Sequence, residues 1–191
     1  MPEHDAMPVS EQAFKTALAA LPAGVTVITT ASADGEQCGA TVSAFCSVSL
    51  RPPLIMVSID ARARTAVAIR ERGAFAAHII GCGSEDLAFR FASHTADKFS
   101  GLTVGYNERG VPLLEDCPLR LECSLYAEYP GGDHVLFLGQ VEDAMVTRTL
   151  PHPVAWYERG FRTLHGLFSD ELLAADQHWP FSAWLLKGAP D

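Results

Sequence analysis

The 191-residue sequence lacks the features that mark membrane and secreted proteins. No apolar run reaches the roughly 20 residues that a membrane-spanning helix needs. Residues 1–10 contain acidic residues and prolines, and have no basic segment followed by an apolar one, so they do not resemble a secretion signal. The five cysteines form no C-x-x-C pair, and an odd count without a signal is typical of reduced thiols. We therefore expect a cytoplasmic protein that is not inserted in a membrane.

The sequence also lacks an excess of basic residues. It has 14 lysines and arginines against 23 aspartates and glutamates, which gives a formal net charge of −9. Nucleic acids and anionic membrane surfaces attract proteins through positive charge, so the composition argues against both as partners. It says little about small-molecule ligands.

Motifs of three large classes of site are missing or incomplete. The seven histidines are scattered and Cys117 lies six residues from Cys123, so no paired zinc ligands occur and we expect no metal site. Gly81 and Gly83 precede a helix-like stretch at Ser84, but the third glycine of a dinucleotide-binding fingerprint is absent. We interpret these glycines as a turn before a helix. The sequence contains no G-x-S-x-G nucleophile elbow.

The hydrophobic patterns that are present predict a small antiparallel barrel with peripheral helices. A chain of this length most simply forms one domain, and it buries about 70% of its unfolded surface. Strands, mainly joined by hairpins, are predicted at 25–31, 38–50, 54–59, 74–80, 119–129 and 135–146, with a strand or turn at 156–164. Short helices are predicted after caps at Ser10, Thr65 and Ser84, while 93–112 look irregular.

The run from Thr41 to Pro53 alternates with period two, which predicts a half-buried strand. Its polar face carries Thr41, Ser43, Phe45, Ser47, Ser49 and Arg51, and its apolar face carries Val42, Ala44, Cys46, Val48 and Leu50. Hydroxyl groups, an aromatic ring and a cation suit a flat, polar ligand that bears a phosphate. They are equally typical of a solvated strand face, so this strand alone does not identify a site.

Two further segments carry cations beside predicted helices. Arg62 and Arg64 precede the helix predicted from Thr65, and a helix N-terminus with arginines nearby suits phosphate binding. The alternative is a solvated basic loop. Phe91 and Lys98 lie further along the chain, where an aromatic ring and a cation fit either a ligand or the end of an amphipathic helix.

The segment 131–134, Gly-Gly-Asp-His, joins two long predicted strands and is expected to form a hairpin tip. It fits an ordinary turn with a neighbouring histidine. It also fits a tip that presents the His134 imidazole to a ligand, as a donor of a hydrogen bond or a proton.

In their order along the chain, these segments resemble the flavin reductase family, the small reductase components of two-component flavin monooxygenases. The segments that carry the resemblance are TVSAFCSVSLRPPL at 41–54, VSIDARART at 57–65, RFASHTADKFSG at 90–101 and GGDH at 131–134, followed by an aromatic segment at 156–161. The resemblance implies a mainly β split barrel over residues 10–165. The tail at 166–191 lies beyond the resemblance and is expected to pack on the barrel or on a dimer partner. The resemblance further implies a homodimer that uses NADH or NADPH to reduce FMN or FAD for a separate oxygenase.

The resemblance also implies the site residues. The flavin is expected to contact Thr41, Val42, Ser43, Ala44, Ser47, Ser58, Ile59, Asp60, Arg64, Thr65, Phe91 and Lys98. The pyridine nucleotide is expected beside Gly132, Asp133, His134 and Tyr157. His134 is expected to position the nicotinamide or to stabilise charge, and not to act as a nucleophile.

The chain departs from the family pattern in the loop expected to hold the phosphate. Ala61 and Ala63 stand where the family often has a basic residue and a serine, which shifts the expected contacts towards Arg64, Thr65 and the backbone. Three alternatives stay open at this point. They are a reductase that keeps its flavin and reduces a corrin or a ferric complex, a flavin-binding protein without catalysis, and an enzyme similar to pyridoxamine-phosphate oxidase.

Overall fold

The structure, a computed structural model, describes residues 9–95, 97–117, 119–147, 152 and 154–163. Within these ranges the helices are α1 (Glu11–Ala19), α2 (Arg64–Arg72) and α3 (Glu85–Ala92). The strands are β1 (Ala23–Gly24), β2 (Thr26–Ala31), β3 (Gln37–Val42), β4 (Phe45–Leu50), β5 (Pro53–Asp60), β6 (Ala74–Ile79), β7 (Val104–Tyr106), β8 (Pro112–Leu114), β9 (Leu119–Gly131), β10 (His134–Val146), β11 (Val154–Tyr157) and β12 (Gly160–Thr163). No helix in the described ranges has the length and apolar character needed to cross a membrane. The predicted tail at 166–191 lies outside the described residues.

Seven antiparallel strands form the main sheet in the order β3-β2-β6-β9-β10-β5-β4. Strands β1, β11 and β12 form a smaller sheet, and β7 pairs with β8. The predicted fold class, mainly β with short peripheral helices, is confirmed, as is the Ser10 cap, whose hydroxyl accepts from the Ala13 N–H of α1. The segment 93–112, predicted as irregular, contains β7 and the first residue of β8. Strands of three residues are too short to leave a periodic signal in the sequence.

The short link between β3 and β4 forces the main sheet to curl. These strands lie at opposite edges of the sheet, yet only Ser43 and Ala44 separate them along the chain. Seven flat strands would place the edges about 29 Å apart, whereas the chain from Val42 to Phe45 reaches about 11 Å at most. The edges must therefore approach each other, and β3 does contact β5, the neighbour of β4 in the sheet. The Ser58 N–H donates to the Ala44 carbonyl (3.0 Å), which extends the β4–β5 pairing into the link. This open, curled sheet is the predicted split barrel.

The run predicted as one strand at 38–50 is therefore two strands, and its predicted faces are wrong beyond the link. Val48 and Leu50 belong to the apolar face, but they are 49% and 65% exposed. The chain bends at Ser43, and a register shift against β5 between Ser47 and Ser49 breaks the period-two alternation. β4 is consequently an edge strand with exposed apolar side chains.

Strand β2 separates two hydrophobic cores. Ile28 packs inside the curled sheet under α2, while its neighbour Val27 packs on the opposite face against α3 and the segment that follows it. All six residues of β2 are buried, so its hydroxyl groups need partners inside the protein. The Thr29 hydroxyl donates to the Pro112 carbonyl (2.5 Å), which fixes the start of β8 against the sheet.

His78 on β6 makes a second polar bridge between the main sheet and β8. The Leu114 N–H donates to Nε2 of the ring (3.0 Å), so Nε2 carries no hydrogen and Nδ1–H donates to the Val27 carbonyl (3.2 Å). The ring is fully buried. Because burial disfavours the charged ring, the pKa of His78 is lowered to about 4. His78 is thus a neutral structural residue.

We predict that His78 makes the protein less stable as the pH falls from 6.5 towards about 4. Within this window the unfolded chain binds a proton at the ring and the folded chain does not, so acid favours unfolding. The expected loss from this residue is about 3 kcal/mol of unfolding free energy. Urea unfolding across the window should show a steeper pH dependence in the wild type than in His78→Gln, whose amide does not titrate. Equal slopes would contradict the prediction.

Candidate functional site

A cleft of about 580 Å³, the larger cleft, lies between β3, the loop that leads into α2, and the segment after α3. Its volume is typical of pockets that hold cofactors and other small ligands. It is lined by Gln37, Cys38, Gly39, Ala40, Asp60, Arg62, Ala63, Arg64, Thr65, Ala92, Ser93, His94, Thr95, Lys98 and Phe99. The cleft therefore brings together four of the predicted flavin contacts, Asp60, Arg64, Thr65 and Lys98.

The loop at the entrance of α2 is shaped by an ion pair between neighbouring residues. The Arg62 backbone N–H donates to Oδ1 of Asp60 (2.8 Å), and the Arg62 guanidinium donates to Oδ2 (3.1 Å). These bonds lower the pKa of Asp60 to about 2, so its carboxylate is charged at neutral pH. The charge of Arg62 is thus already compensated within the loop.

Helix α2 presents an uncapped N-terminus to the larger cleft. Thr65, predicted as the cap, lies in the first helical turn and is buried, whereas the cap position is Ala63. The prediction of the cap was wrong because the chain stays extended through Ala63 and turns helical at Arg64. Alanine has no side-chain acceptor, and the Ala66 N–H donates to the Ala63 carbonyl (3.0 Å). The N–H groups of Arg64 and Thr65 are therefore the ones that keep their capacity to bind an anion.

Lys98 joins two walls of the larger cleft. Its ammonium group donates to the carbonyls of Gly39 on β3 (3.1 Å) and Phe91 on α3 (2.7 Å). Burial lowers the pKa of the amine, and the charge of Arg64 adds to this effect. Two of the three ammonium hydrogens are occupied in this way, so one remains for a ligand.

The side chain of Phe91 supports the cleft from behind and does not line it. Its ring is 1% exposed and packs edge to face on Phe99, with centroids 5.0 Å apart. A Cβ at Gly39 would lie 2.6 Å from this ring, so β3 approaches α3 closely only because residue 39 is a glycine. Phe91 was predicted to contact the flavin, but its side chain lies in the core.

A smaller cleft of about 180 Å³ adjoins the larger one at Ala92, which lines both. Thr41, Val42 and Ser43 of the predicted flavin-binding strand line this smaller cleft. The Thr41 hydroxyl donates to the Ala88 carbonyl of α3 (2.6 Å), so its oxygen is left as an acceptor for a ligand. The opposite wall is aromatic, with ring centroids 5.1 to 6.4 Å apart in edge-to-face contact, and consists of Phe89, Trp156 and Phe161.

The tip of the β9–β10 hairpin is joined to the loop of the larger cleft. Gly132 has a φ of +75°, which favours glycine, and the hairpin turns there. The Ala61 N–H donates to the Asp133 carbonyl (3.0 Å), and His134 lies opposite Asp60 in the strand register. Because the Asp133 carboxylate accepts, Nδ1–H of His134 donates to its Oδ1 (2.7 Å). Nε2 of this partly exposed ring is then the atom available to a ligand.

Other predicted contacts lie apart from both clefts. Ser47 is exposed on the edge strand β4, Ser58 is half-buried on β5, and Ile59 is buried in the core. Ala44 is exposed at the link, and Tyr157 is half-buried at the end of β11. None of the five lines either of the two clefts.

Two features of the site were missed by sequence reasoning. Oε1 of Glu36 accepts from Nη1 of Arg64 (2.8 Å), although 28 residues separate the pair. The Asp-Gly motif predicts a hairpin turn that contains Glu36, but it does not show that this turn lies near α2. Only the curled sheet brings Glu36 and α2 together. The aromatic wall also depends on tertiary structure, because its rings come from α3 and from the β11–β12 hairpin.

Residues 18–165, which include both clefts and the hairpin tip, match the family model described as Flavin reductase like domain. The chain is 38% identical over 172 residues to an NADH-dependent flavin reductase of a Rhodococcus species, covering 88% of this chain and 91% of that protein. It is 33% identical over 154 residues to the reductase component of 4-hydroxyphenylacetate 3-monooxygenase from Thermus thermophilus, covering 81% and 97%. The solved NADH:FAD oxidoreductase of Streptomyces globisporus, in complex with NAD and FAD fragments, has a TM-score of 0.77 and 29% identity, covering 86% and 100%.

Proposed function

We propose that this chain, which belongs to the flavin reductase family, is an NAD(P)H:flavin oxidoreductase that reduces FMN or FAD for a separate oxygenase. The observation that carries the proposal is the composition of the larger cleft. The uncapped start of α2, Arg64 and Lys98 line it together, and the hairpin tip with His134 is bonded to its loop. This arrangement suits a phosphate-bearing ligand with a second nucleotide beside it.

The phosphate next to the ribityl chain is proposed to bind at the start of α2. The N–H groups of the first turn, the guanidinium of Arg64 and one hydrogen of Lys98 are all donors, and the helix dipole favours negative charge there. FMN and FAD both carry a phosphate at this position. The proposal therefore covers both flavins.

The flavin ring is proposed to lie towards the link between β3 and β4. Thr41, Val42 and Ser43 at the smaller cleft offer backbone and hydroxyl groups, and the aromatic wall offers an apolar surface. Of the predicted contacts that line neither cleft, Phe91 stays in the core. Four others are proposed to edge the ring from the side of the link and β5, Ile59 through its backbone because its side chain is buried; they are Ala44, Ser47, Ser58 and Ile59.

The nicotinamide is proposed to bind at the hairpin tip, beside Gly132, Asp133 and His134, with Tyr157 as a further contact. Asp133 holds the His134 ring through Nδ1, which leaves Nε2 to orient the ligand or to stabilise charge. A Cβ built at Gly132 meets nothing within 4 Å, so this part of the tip is open to a ligand.

The bound flavin supplies a ring that accepts a hydride, and the chain supplies placement. Hydride transfer needs donor and acceptor atoms within about 3–3.5 Å, and hydrogen-bond donors near the link would stabilise negative charge on the reduced ring. The similarity to a monooxygenase reductase component supports release of reduced flavin to a separate oxygenase. We further propose that residues 10–165 are the catalytic unit and that it works in the cytoplasm, where free cysteines such as Cys38 and Cys82 stay reduced.

Anaerobic stopped-flow absorbance is the direct test of this function. We expect NADH or NADPH to bleach the absorbance of added FMN or FAD in the presence of the protein, and not in its absence. A protein that binds flavin without any bleaching would instead be a flavin-binding protein without reductase activity. Flavin that is bleached but stays bound would favour the reductase that acts on another acceptor.

We predict that His134→Ala raises the KM for the pyridine nucleotide by about tenfold, since a ligand hydrogen bond contributes roughly 1–1.5 kcal/mol. The Kd for FMN should change by less than about twofold, because the ring lies at the tip and not at α2. Asp133→Asn, which keeps an acceptor for Nδ1–H, should show a smaller effect in the same direction. Unaltered kinetics in His134→Ala would remove the histidine from the site.

The protein is also proposed to be a homodimer that uses the edge strand β4. Val48 and Leu50 are exposed there, and an edge strand with exposed apolar side chains is a typical pairing surface. Sedimentation should give the mass of two chains, and Leu50→Glu should shift it towards one chain. Val67→Glu, an equivalent change on α2, should not. A wild type that sediments as one chain at micromolar concentration would contradict the proposal.

A further inference from the structure

Arg64, which is proposed to bind the flavin phosphate, forms an ion pair with a carboxylate. Nη1 of Arg64 donates to Oε1 of Glu36 at 2.8 Å, and both side chains are 62% exposed. Glu36 directly precedes Gln37 and Cys38, which line the larger cleft, so its charge lies at the rim.

The backbone of Glu36 is fixed in the turn between β2 and β3. The Glu36 N–H donates to the Ser32 hydroxyl (3.0 Å), and the Ser32 N–H donates to the Glu36 carbonyl (2.9 Å). Gly35 supplies the positive φ that this turn requires. The turn therefore fixes the backbone of Glu36 near Arg64. The Glu36 side chain is exposed, so its carboxylate can exchange partners.

The three cations that line the larger cleft differ in how easily a phosphate can recruit them. Arg62 is held by Asp60 within the loop, through its guanidinium and its backbone N–H. Lys98 donates to two backbone carbonyls, which cannot move away from it. Arg64 is paired with an exposed side-chain carboxylate, so among these cations it is the one that a ligand recruits by exchange.

We propose that Glu36 sets the affinity of the site for flavin by competing with the flavin phosphate for Arg64. This inference rests on the proposed function, because it assumes a flavin phosphate at the start of α2. A phosphate that enters the cleft meets a guanidinium whose Nη1 is already paired with Glu36, so it either replaces the carboxylate or binds Arg64 beside that negative charge. The pair thus weakens flavin binding and favours release of the reduced flavin to a partner enzyme.

The size of the effect follows from the exposure of the pair. An exposed ion pair favours association of its groups by a factor of about two to five, and salt screens it. Removal of the carboxylate charge also removes its repulsion of the phosphate. We therefore expect Glu36→Gln to lower the Kd for FMN about fivefold at low ionic strength, and by less than twofold in 0.5 M salt.

Riboflavin, which has the ring and ribityl chain of FMN but no phosphate, separates this role from a structural one. Titration monitored by flavin fluorescence should show tighter binding of FMN to Glu36→Gln and an unchanged Kd for riboflavin. The matched control is Glu128→Gln, which breaks the ion pair of Glu128 with Arg70 (2.7 Å) and should leave both Kd values unchanged. In turnover, Glu36→Gln should lower the KM for FMN and not that for riboflavin.

A double-mutant cycle tests whether Glu36 acts through Arg64. Arg64→Gln should weaken FMN binding. Adding Glu36→Gln to that variant should then lower the Kd for FMN by a smaller factor than Glu36→Gln does in the wild type. Three outcomes would each overturn the proposal. Glu36→Gln could tighten the binding of FMN and riboflavin equally, tighten FMN binding equally with and without Arg64, or leave the Kd for FMN unchanged. This result is separate from the test of the proposed function. If the protein binds FMN but NADH and NADPH do not bleach it, the reductase function fails, while the Kd titrations still show whether Glu36 weakens FMN binding.

Discussion

The link of Ser43 and Ala44 joins the two edges of the main sheet, and the candidate site depends on this constraint. Because the edges must meet, β3 comes to lie beside β5. The loop that follows β5 then starts next to β3, and the larger cleft has β3 as one wall and the start of α2 as another. The residues just before the link line the smaller cleft. A longer link would relax the curl and allow these walls to separate.

Helix α3 completes the site because polar bonds fix both of its halves to β3. The Thr41 hydroxyl holds the Ala88 carbonyl in the middle of the helix, and Lys98 holds the Phe91 carbonyl near its end. The absence of a side chain at Gly39 allows the helix to approach the strand. The two clefts therefore meet at α3 in a defined geometry, with Ala92 shared between them.

Much of this arrangement was predictable from the sequence because its signals are local. β-branched runs and the Asp-Gly turn predicted β2, β3 and their hairpin, and the glycines at 131–132 predicted the tip. The order of the motifs identified the family, and with it four residues that line the larger cleft, Asp60, Arg64, Thr65 and Lys98. The resemblance could do this because a family motif records tertiary contacts that a single sequence does not display.

The errors arose where a local pattern carried no mark of a tertiary constraint. The bend at Ser43 contains neither glycine nor proline, so one long strand fitted the alternation as well as two short ones. Thr65 is a good capping residue in isolation, but the extended conformation continues only to Ala63. The contact of Glu36 with Arg64 joins residues 28 positions apart and exists only once the sheet has curled.

In the proposed flavin site, the groups that orient the ligand differ from the groups that set its affinity. The N–H donors at the start of α2 and the carbonyl-bound Lys98 are fixed by backbone structure, so their directions do not depend on a ligand. The charge of Arg64, by contrast, is shared with an exposed carboxylate. In the proposed competition for this one charge, the carboxylate weakens ligand binding without moving the fixed donors. A site built in this way can hold a flavin in a defined orientation and still let it leave, which a reductase that supplies a separate enzyme requires.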